Sequence, residues 1–220
     1  MSKNIKCSED TDKIYIGIED IRLFNFNNKI YYIGSCYNKN NGNINIVSNQ
    51  LDINKNYTEN FIQPTFKTNF KWEKNWVFFE NNGDLLVIYK WYPISICKID
   101  YEKKELNLLK EIQTPEIFYD FRGSTNGVLY NNKLWFIVHS QVEIKNKKQY
   151  FHRFVLLNKD LTVCGYSKLF KFENFIVEFC IGLEITYNNN FLITYSTLDR
   201  TSKIAVFTPE YINSLIKYYL

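Results

Sequence analysis

Four short polar clusters stand about fifty residues apart, each at the head of an apolar run: Glu19-Asp20-Ile21-Arg22, Glu73-Lys74-Asn75-Trp76, Arg122-Gly123-Ser124-Thr125 and Glu178-Phe179-Cys180. Lys90, His139 and Asp199 fall at or just beyond the ends of the apolar runs that follow. Carboxylates of this kind carry protons, while lysine, arginine and histidine hold anionic groups. Together they suit proton transfer beside a bound anion, provided the chain brings them to one place. Any one cluster taken alone is better read as a solvated loop. Their recurrence at equivalent positions is what makes a shared site the reading here. His139 interrupts the apolar stretch Phe136-Ile137-Val138, and His152 has similar surroundings. Both also read as core histidines.

The elements that must position these groups are repeats. Ile21 to Tyr37, Trp76 to Pro93, Gly127 to Val142 and Gly182 to Leu198 share one pattern of strand, asparagine turn and strand. Asparagine tolerates positive φ, and the pairs Asn27-Asn28, Asn81-Asn82, Asn131-Asn132 and Asn188-Asn189 sit where a tight hairpin needs it. The first asparagines are separated by 54, 50 and 57 residues. Looser strand pairs are expected between them, at Asn45 to Ile53, Ser95 to Asn107, His152 to Phe170 and Lys203 to Thr208. Hairpin after hairpin at this period predicts an all-β propeller of four-stranded blades, a single domain over residues 1–220 with repeats near 15–60, 70–110, 120–170 and 176–209. A β-sandwich or irregular barrel with chance likeness among its hairpins is the alternative. Helical spacing of Ile212, Leu215, Ile216 and Tyr219 predicts a helix over 210–220, set against an edge. In a propeller the first strand of each blade is innermost, so the four clusters would converge on the central channel.

Composition narrows the classes. Aromatics are 18% of the chain, with 17 Tyr and 18 Phe, which suits half-buried strands. The 27 basic and 23 acidic residues are interspersed, so no basic face marks a nucleic-acid partner. Five cysteines, Cys7, Cys36, Cys97, Cys164 and Cys180, show no CxxC spacing. They predict neither a metal site nor a disulfide framework, and most read as small buried hydrophobes. With no apolar leader and no run long enough to span a bilayer, the expectation is a soluble, cytoplasmic protein without membrane contact. The sequon Asn56-Tyr57-Thr58 is then a chance match.

The motifs resemble those of the family 130 glycoside phosphorylases and hydrolases, five-bladed propellers acting mostly on β-mannosides. Their relatives in large DNA viruses and the mannosyltransferase-phosphorylases of protozoan parasites are similar too. Glu19-Asp20-Ile21-Arg22 followed by Ile30-Tyr31-Tyr32-Ile33 looks like the family's Glu-Asp-Pro-Arg strand and its partner. Glu73-Lys74-Asn75-Trp76 is similar to a second family motif, a basic residue and asparagine ahead of an apolar strand. Arg122-Gly123-Ser124 leading to Ile137-Val138-His139-Ser140 resembles the Gly-rich lead to a strand ending Tyr-His-Gly. Gly182-Leu183 with Tyr195-Ser196-Thr197-Leu198-Asp199 resembles the last motif. Ile21 replaces a proline, Asn126-Gly127 replaces a double proline, and family members carry a whole blade ahead of the first motif. Three forms follow as expectations: a four-bladed remnant, the product of a split gene, or an open propeller completed by a partner.

The resemblance implies Asp20 as general acid, with Lys74, Asn75 and His139 around a phosphate and Asp199 on sugar hydroxyls. Arg122 joins the phosphate set one residue from the family's basic position. Glu19, Arg22, Glu73, Trp76 and Glu178 complete the expected substrate site. The implied function is cleavage or formation of a mannoside-type glycosidic bond by inverting phosphorolysis or glycosyl transfer, with no cofactor, and with inorganic phosphate or an activated sugar as co-substrate. A water nucleophile would need a base from among Glu19, Glu73, Glu178 and Asp199. Two alternatives stand beside it, a catalytically inactive glycan-binding propeller and a scaffold for protein partners. Trp72, Trp76, Trp91 and Trp135 are expected in the core or in a channel wall, where an aromatic face also suits a sugar ring.

Overall fold

Asparagine supplies the turns. The computed structural model describes residues 17–38, 42–52, 61–66, 70–144 and 146–218. Cys7 and the sequon at Asn56 lie outside them. Asn27, Asn28, Asn131 and Asn132 all take φ between 47° and 59°, the backbone of a two-residue hairpin turn. The second turn falls one residue later than expected. Asn81 pairs with Asp84, so Asn82 and Gly83 carry the positive φ, at 53° and 81°. Of the fourth asparagine pair only Asn189 is left-handed. Pairing there stops at Ile185 and Phe191, and the intervening loop is closed by Thr186 N–H donating to the Asn190 carbonyl (2.8 Å).

These hairpins seed four antiparallel sheets. The first runs β1 (Ile18–Phe26), β2 (Lys29–Asn38), β3 (Asn43–Leu51). The second is a four-stranded meander of β4 (Val77–Asn81), β5 (Asp84–Trp91), β6 (Ile94–Asp100) and β7 (Glu105–Ile112). In the third, the inner strand is broken into β8 (Arg122–Gly123) and β9 (Val128–Tyr130), both pairing with β10 (Lys133–Ile144). β11 (Lys147–Asn158) and β12 (Val163–Ser167) continue outward. The fourth is β13 (Glu178–Ile185), β14 (Phe191–Thr197), β15 (Thr201–Phe207). The fold is the all-β propeller expected. Only the second sheet is a plain four-stranded meander, whereas the first and fourth show three strands each among the described residues.

The tail differs from the expected helix over 210–220. A single short helix, α1 (Pro209–Ser214), starts where the Thr208 hydroxyl accepts the Tyr211 N–H and Pro209 fills the first turn. After it β16 (Ile216–Tyr218) pairs with β12 and becomes the outer strand of the third sheet. No helix among the described residues is long and apolar enough to cross a membrane.

Alternating side chains on the middle strands pack both neighbouring sheets. At β4, Phe78 and the preceding Trp76 face the first sheet with Ile33 and Ile46, while Val77 and Phe79 face Phe136 and Val138 of the third. On β10, Trp135 and Ile137 meet Leu183 and Ile193 of the fourth sheet. Strands buried on both faces read as continuous apolar runs, which explains Trp76–Phe79 and Leu134–Val138. Cys97 and Cys180 are buried free thiols and Cys164 is half-buried. Cys36 is instead disulfide-bonded, a pairing that sequence spacing does not reveal.

Polar groups stitch the sheets where the inner strand of the third is interrupted. The buried Arg22 guanidinium donates to the carbonyls of Ser124 (2.6 Å), Gly123 (3.3 Å) and Asp20 (2.8 Å). Burial draws its pKa down to about 10, so it remains charged at neutral pH. The Asn126 amide accepts from Phe78 N–H (2.8 Å) and donates to the Leu23 carbonyl (2.9 Å), joining three sheets through one side chain. Gly123 permits the approach, because a Cβ there would lie 2.5 Å from the Asn75 carbonyl oxygen.

Two outcomes are expected. Arg22→Met strips a charged donor from three carbonyls and should cost about 3 kcal/mol in urea unfolding; a loss below about 1 kcal/mol would show the guanidinium to be dispensable. The second concerns buried His152, whose Nε2 accepts from Cys180 N–H (3.3 Å) and whose pKa burial lowers to about 3. His139 is likewise held well below 6.5 by burial. Well above pH 6.5 neither histidine is protonated, folded or unfolded, and their contribution to stability is constant. As pH falls below 6.5 only the unfolded chain takes up these protons, so stability drops by about 1 kcal/mol per histidine per pH unit. His152→Gln should halve that slope between pH 6.5 and about pH 5.5, measured by urea midpoints.

Candidate functional site

The first cluster enters the site through a bulge. Pairing of β1 with β2 slips between Glu19 and Arg22, and Asp20 takes φ 54°. Gly34 on β2 makes room, since a Cβ there would come within 2.9 Å of the Glu19 carbonyl oxygen. The extra residue re-aims the strand start, as bulges at sheet edges do. Asn75, just ahead of β4, is also left-handed, at φ 65°.

A cleft of about 870 Å³ opens at this end of the inner strands, lined by Asp20, Glu73, Lys74, Asn75, Arg122 and His139 from three of the four clusters and their partner strand. Lys90 and Lys148 join them, so four permanent cations face two carboxylates. Such a balance draws in an anion. Phe179 comes from the fourth sheet, so each of the four contributes to the wall.

Individual groups are held by identifiable partners. Glu73 accepts hydrogen bonds from Tyr89 Oη (3.0 Å) and Trp76 Nε1 (3.2 Å). Burial outweighs these bonds and raises its pKa above the usual carboxylate value. Lys90 Nζ rests over the rings of Phe70 and Tyr89 at 4.7 Å and 5.3 Å. His139 is buried between the rings of Phe179 (5.2 Å) and Tyr150 (5.8 Å). Its Nδ1 shares a 2.9 Å hydrogen bond with Ser124 Oγ, which leaves Nε2 as the nitrogen available to the cleft. Burial, with His152, Arg22 and Arg122 adding repulsion, keeps the imidazole neutral. A neutral ring presents a dipole rather than a charge to whatever binds.

Five other expected site residues lie outside the cleft lining. Arg22 is the buried stitch described above. Trp76 is buried and serves Glu73. Glu178 is fully buried and accepts the backbone N–H groups of Phe172 (2.6 Å), Glu173 (3.0 Å) and Phe175 (2.7 Å), anchoring the loop ahead of β13. Strand alternation sends Glu178 inward and its neighbour Phe179 into the cleft. Asp199 sits in the exposed turn between β14 and β15 with φ 52°. Glu19 is exposed beside the cleft, where partial burial raises its pKa and Lys74 lowers it.

The structure adds residues that the sequence reading missed. Gln141 and Tyr150 line the cleft and bond to each other, Gln141 Nε2 donating to Tyr150 Oη (2.8 Å). They face one another across the β10–β11 ladder, and Gln141 lies two residues past His139 on the same face. The period of two was the available signal. Lys148 follows from the same hairpin.

No family model and no curated protein matches this sequence. Solved structures do. A GDP-Man-dependent mannosyltransferase from Leishmania mexicana, MPT-1, is similar with a TM-score of 0.61 at 12% identity, covering 88% of this chain and 69% of its own. A putative glycoside hydrolase from Bacteroides ovatus has a TM-score of 0.63 at 14% identity, over 92% and 73% of the two chains. A β-1,2-mannobiose phosphorylase from Listeria innocua, solved with β-1,2-mannobiose, has a TM-score of 0.58 at 15% identity, over 91% and 60%. At these identities the likeness speaks for the fold alone, an all-β propeller.

Proposed function

We propose that this chain is a carbohydrate-active enzyme that cleaves or forms a mannoside-type glycosidic bond with inversion, by phosphorolysis or by transfer from an activated sugar. The observation that carries the reading is the shared cleft, in which Asp20, re-aimed by its bulge, faces the same space as Lys74, Arg122 and His139. The propeller likeness to a mannosyltransferase and a mannobiose phosphorylase supports the substrate class.

In the phosphorolytic direction the Asp20 carboxyl gives its proton to the departing glycosidic oxygen as the anomeric C–O bond breaks. A phosphate oxygen forms the new bond from the opposite face, and the sugar leaves as its 1-phosphate. In synthesis Asp20 recovers the proton from the attacking hydroxyl. Lys74 and Arg122 offset the phosphate charge, and neutral His139 and the Asn75 amide complete the shell. Excess cation over carboxylate in the cleft favours this route over hydrolysis, which would require a second carboxylate as base. Glu73, the other carboxylate of the lining, has both oxygens engaged by Tyr89 and Trp76.

Incubation with β-mannobiose and inorganic phosphate is expected to release mannose 1-phosphate. Asp20→Asn should lower kcat by about 10²–10⁴ while preserving sugar binding, and Arg122→Ala should raise the KM for phosphate. Calorimetric binding of the disaccharide without turnover, unchanged in Asp20→Asn, would instead identify an inactive glycan-binding propeller.

A further inference from the structure

The cleft grades from buried polar groups to exposed aromatic ones. His139 is buried and Asp20, Glu73 and Lys74 are half-buried, whereas Trp72, Tyr119, Phe70 and Tyr92 line the same cleft yet stand 68%, 73%, 47% and 40% exposed. Four large aromatic side chains gathered at one opening are more than the scattered surface hydrophobics that need no explanation.

These rings are exposed on fixed backbone. Trp72 bridges to Ile44 of β3, with Ile44 N–H donating to the Lys71 carbonyl (3.0 Å) and Glu73 N–H to the Ile44 carbonyl (2.8 Å). Tyr119 follows the 3-10 turn Glu116–Phe118, pinned by fully buried Phe118 and by its own N–H to the Glu116 carbonyl (2.9 Å). Its ring meets that of Tyr92 edge-on at 5.8 Å. Phe70 holds the Lys90 ammonium on its face. Rigid amphipathic rings give contact area at little entropic cost.

The geometry points to an aromatic subsite at the mouth of the cleft that stacks sugar units beyond the bond being made or broken, so that the carbohydrate chain handled here is at least three units long. Sugar rings present C–H faces to aromatic planes and hydroxyls at their rims, the chemistry that the Trp72 ring and the Tyr119 ring with its hydroxyl combine. A volume of about 870 Å³ lies near the top of the range of about 300–1,000 Å³ usual for ligand sites, which accommodates a chain better than a single sugar. The inference rests on the carbohydrate reading above and deepens it.

Calorimetry with mannose and with β-linked mannobiose, mannotriose and mannotetraose tests it. Affinity is expected to rise about fivefold or more from dimer to trimer. Trp72→Ala and Tyr119→Ala should erase that gain while leaving dimer affinity within about twofold, and Trp72→Phe should restore most of it. Both side chains are largely exposed, and unchanged melting temperatures would show the fold intact. Binding of the dimer with no gain on lengthening, or equal loss for dimer and trimer in the alanine variants, overturns the subsite alone. Failure of every mannoside to bind removes the carbohydrate reading and the subsite with it.

Discussion

Around the Arg22 guanidinium, a charge sealed from solvent is held by three backbone carbonyls and favoured by the nearby Asp20 carboxylate. Desolvating an arginine is costly unless its donors are used, and the acceptors exist because the inner strand of the third sheet is broken. Between β8 and β9 the chain leaves its ladder, and the carbonyls of Gly123 and Ser124 turn to β1. The broken strand and the buried charge are therefore one device. The third bond, to the Asp20 carbonyl, ties the same guanidinium to the bulge that sets the direction of Asp20. Structural centre and candidate site share a single fastening.

The cleft is consequently wet and charged on one side and dry on the other. Lys74, Lys90, Arg122 and Lys148 reach it from loops and strand ends, whereas His139 stands in the third sheet with aromatic rings on two sides. Charge and neutral dipole thus face one cleft from opposite environments, which under the proposed function suits an anion held in place and then released as part of a product.

Much of this was legible in the sequence, and the failures have physical causes. Asn27-Asn28 and Asn131-Asn132 announced their hairpins because positive φ is rare outside asparagine and glycine. Asp20, Lys74, Asn75 and Arg122 meet in one cleft because equivalent strand starts in consecutive sheets converge, and His139 joins them from a partner strand. Glu178 misled because charge was taken as a sign of the site, although strand alternation turns it inward and Phe179 outward. Arg22 and Trp76 were read as ligand contacts when they hold other groups in place. Gln141, Tyr150 and Lys148 depend on the register of one long hairpin, and Tyr119 on a 3-10 turn, neither of which composition encodes.

The return of β16 to β12 has a consequence for how the molecule comes apart. Strands β13, β14 and β15 lie in the chain between two strands that are neighbours in the third sheet. The fourth sheet is thus an excursion clasped at both ends by the third, and it cannot peel away while the clasp holds. The two should open as one cooperative unit, with slowed amide exchange across both, and the Phe179 wall of the cleft inherits that rigidity.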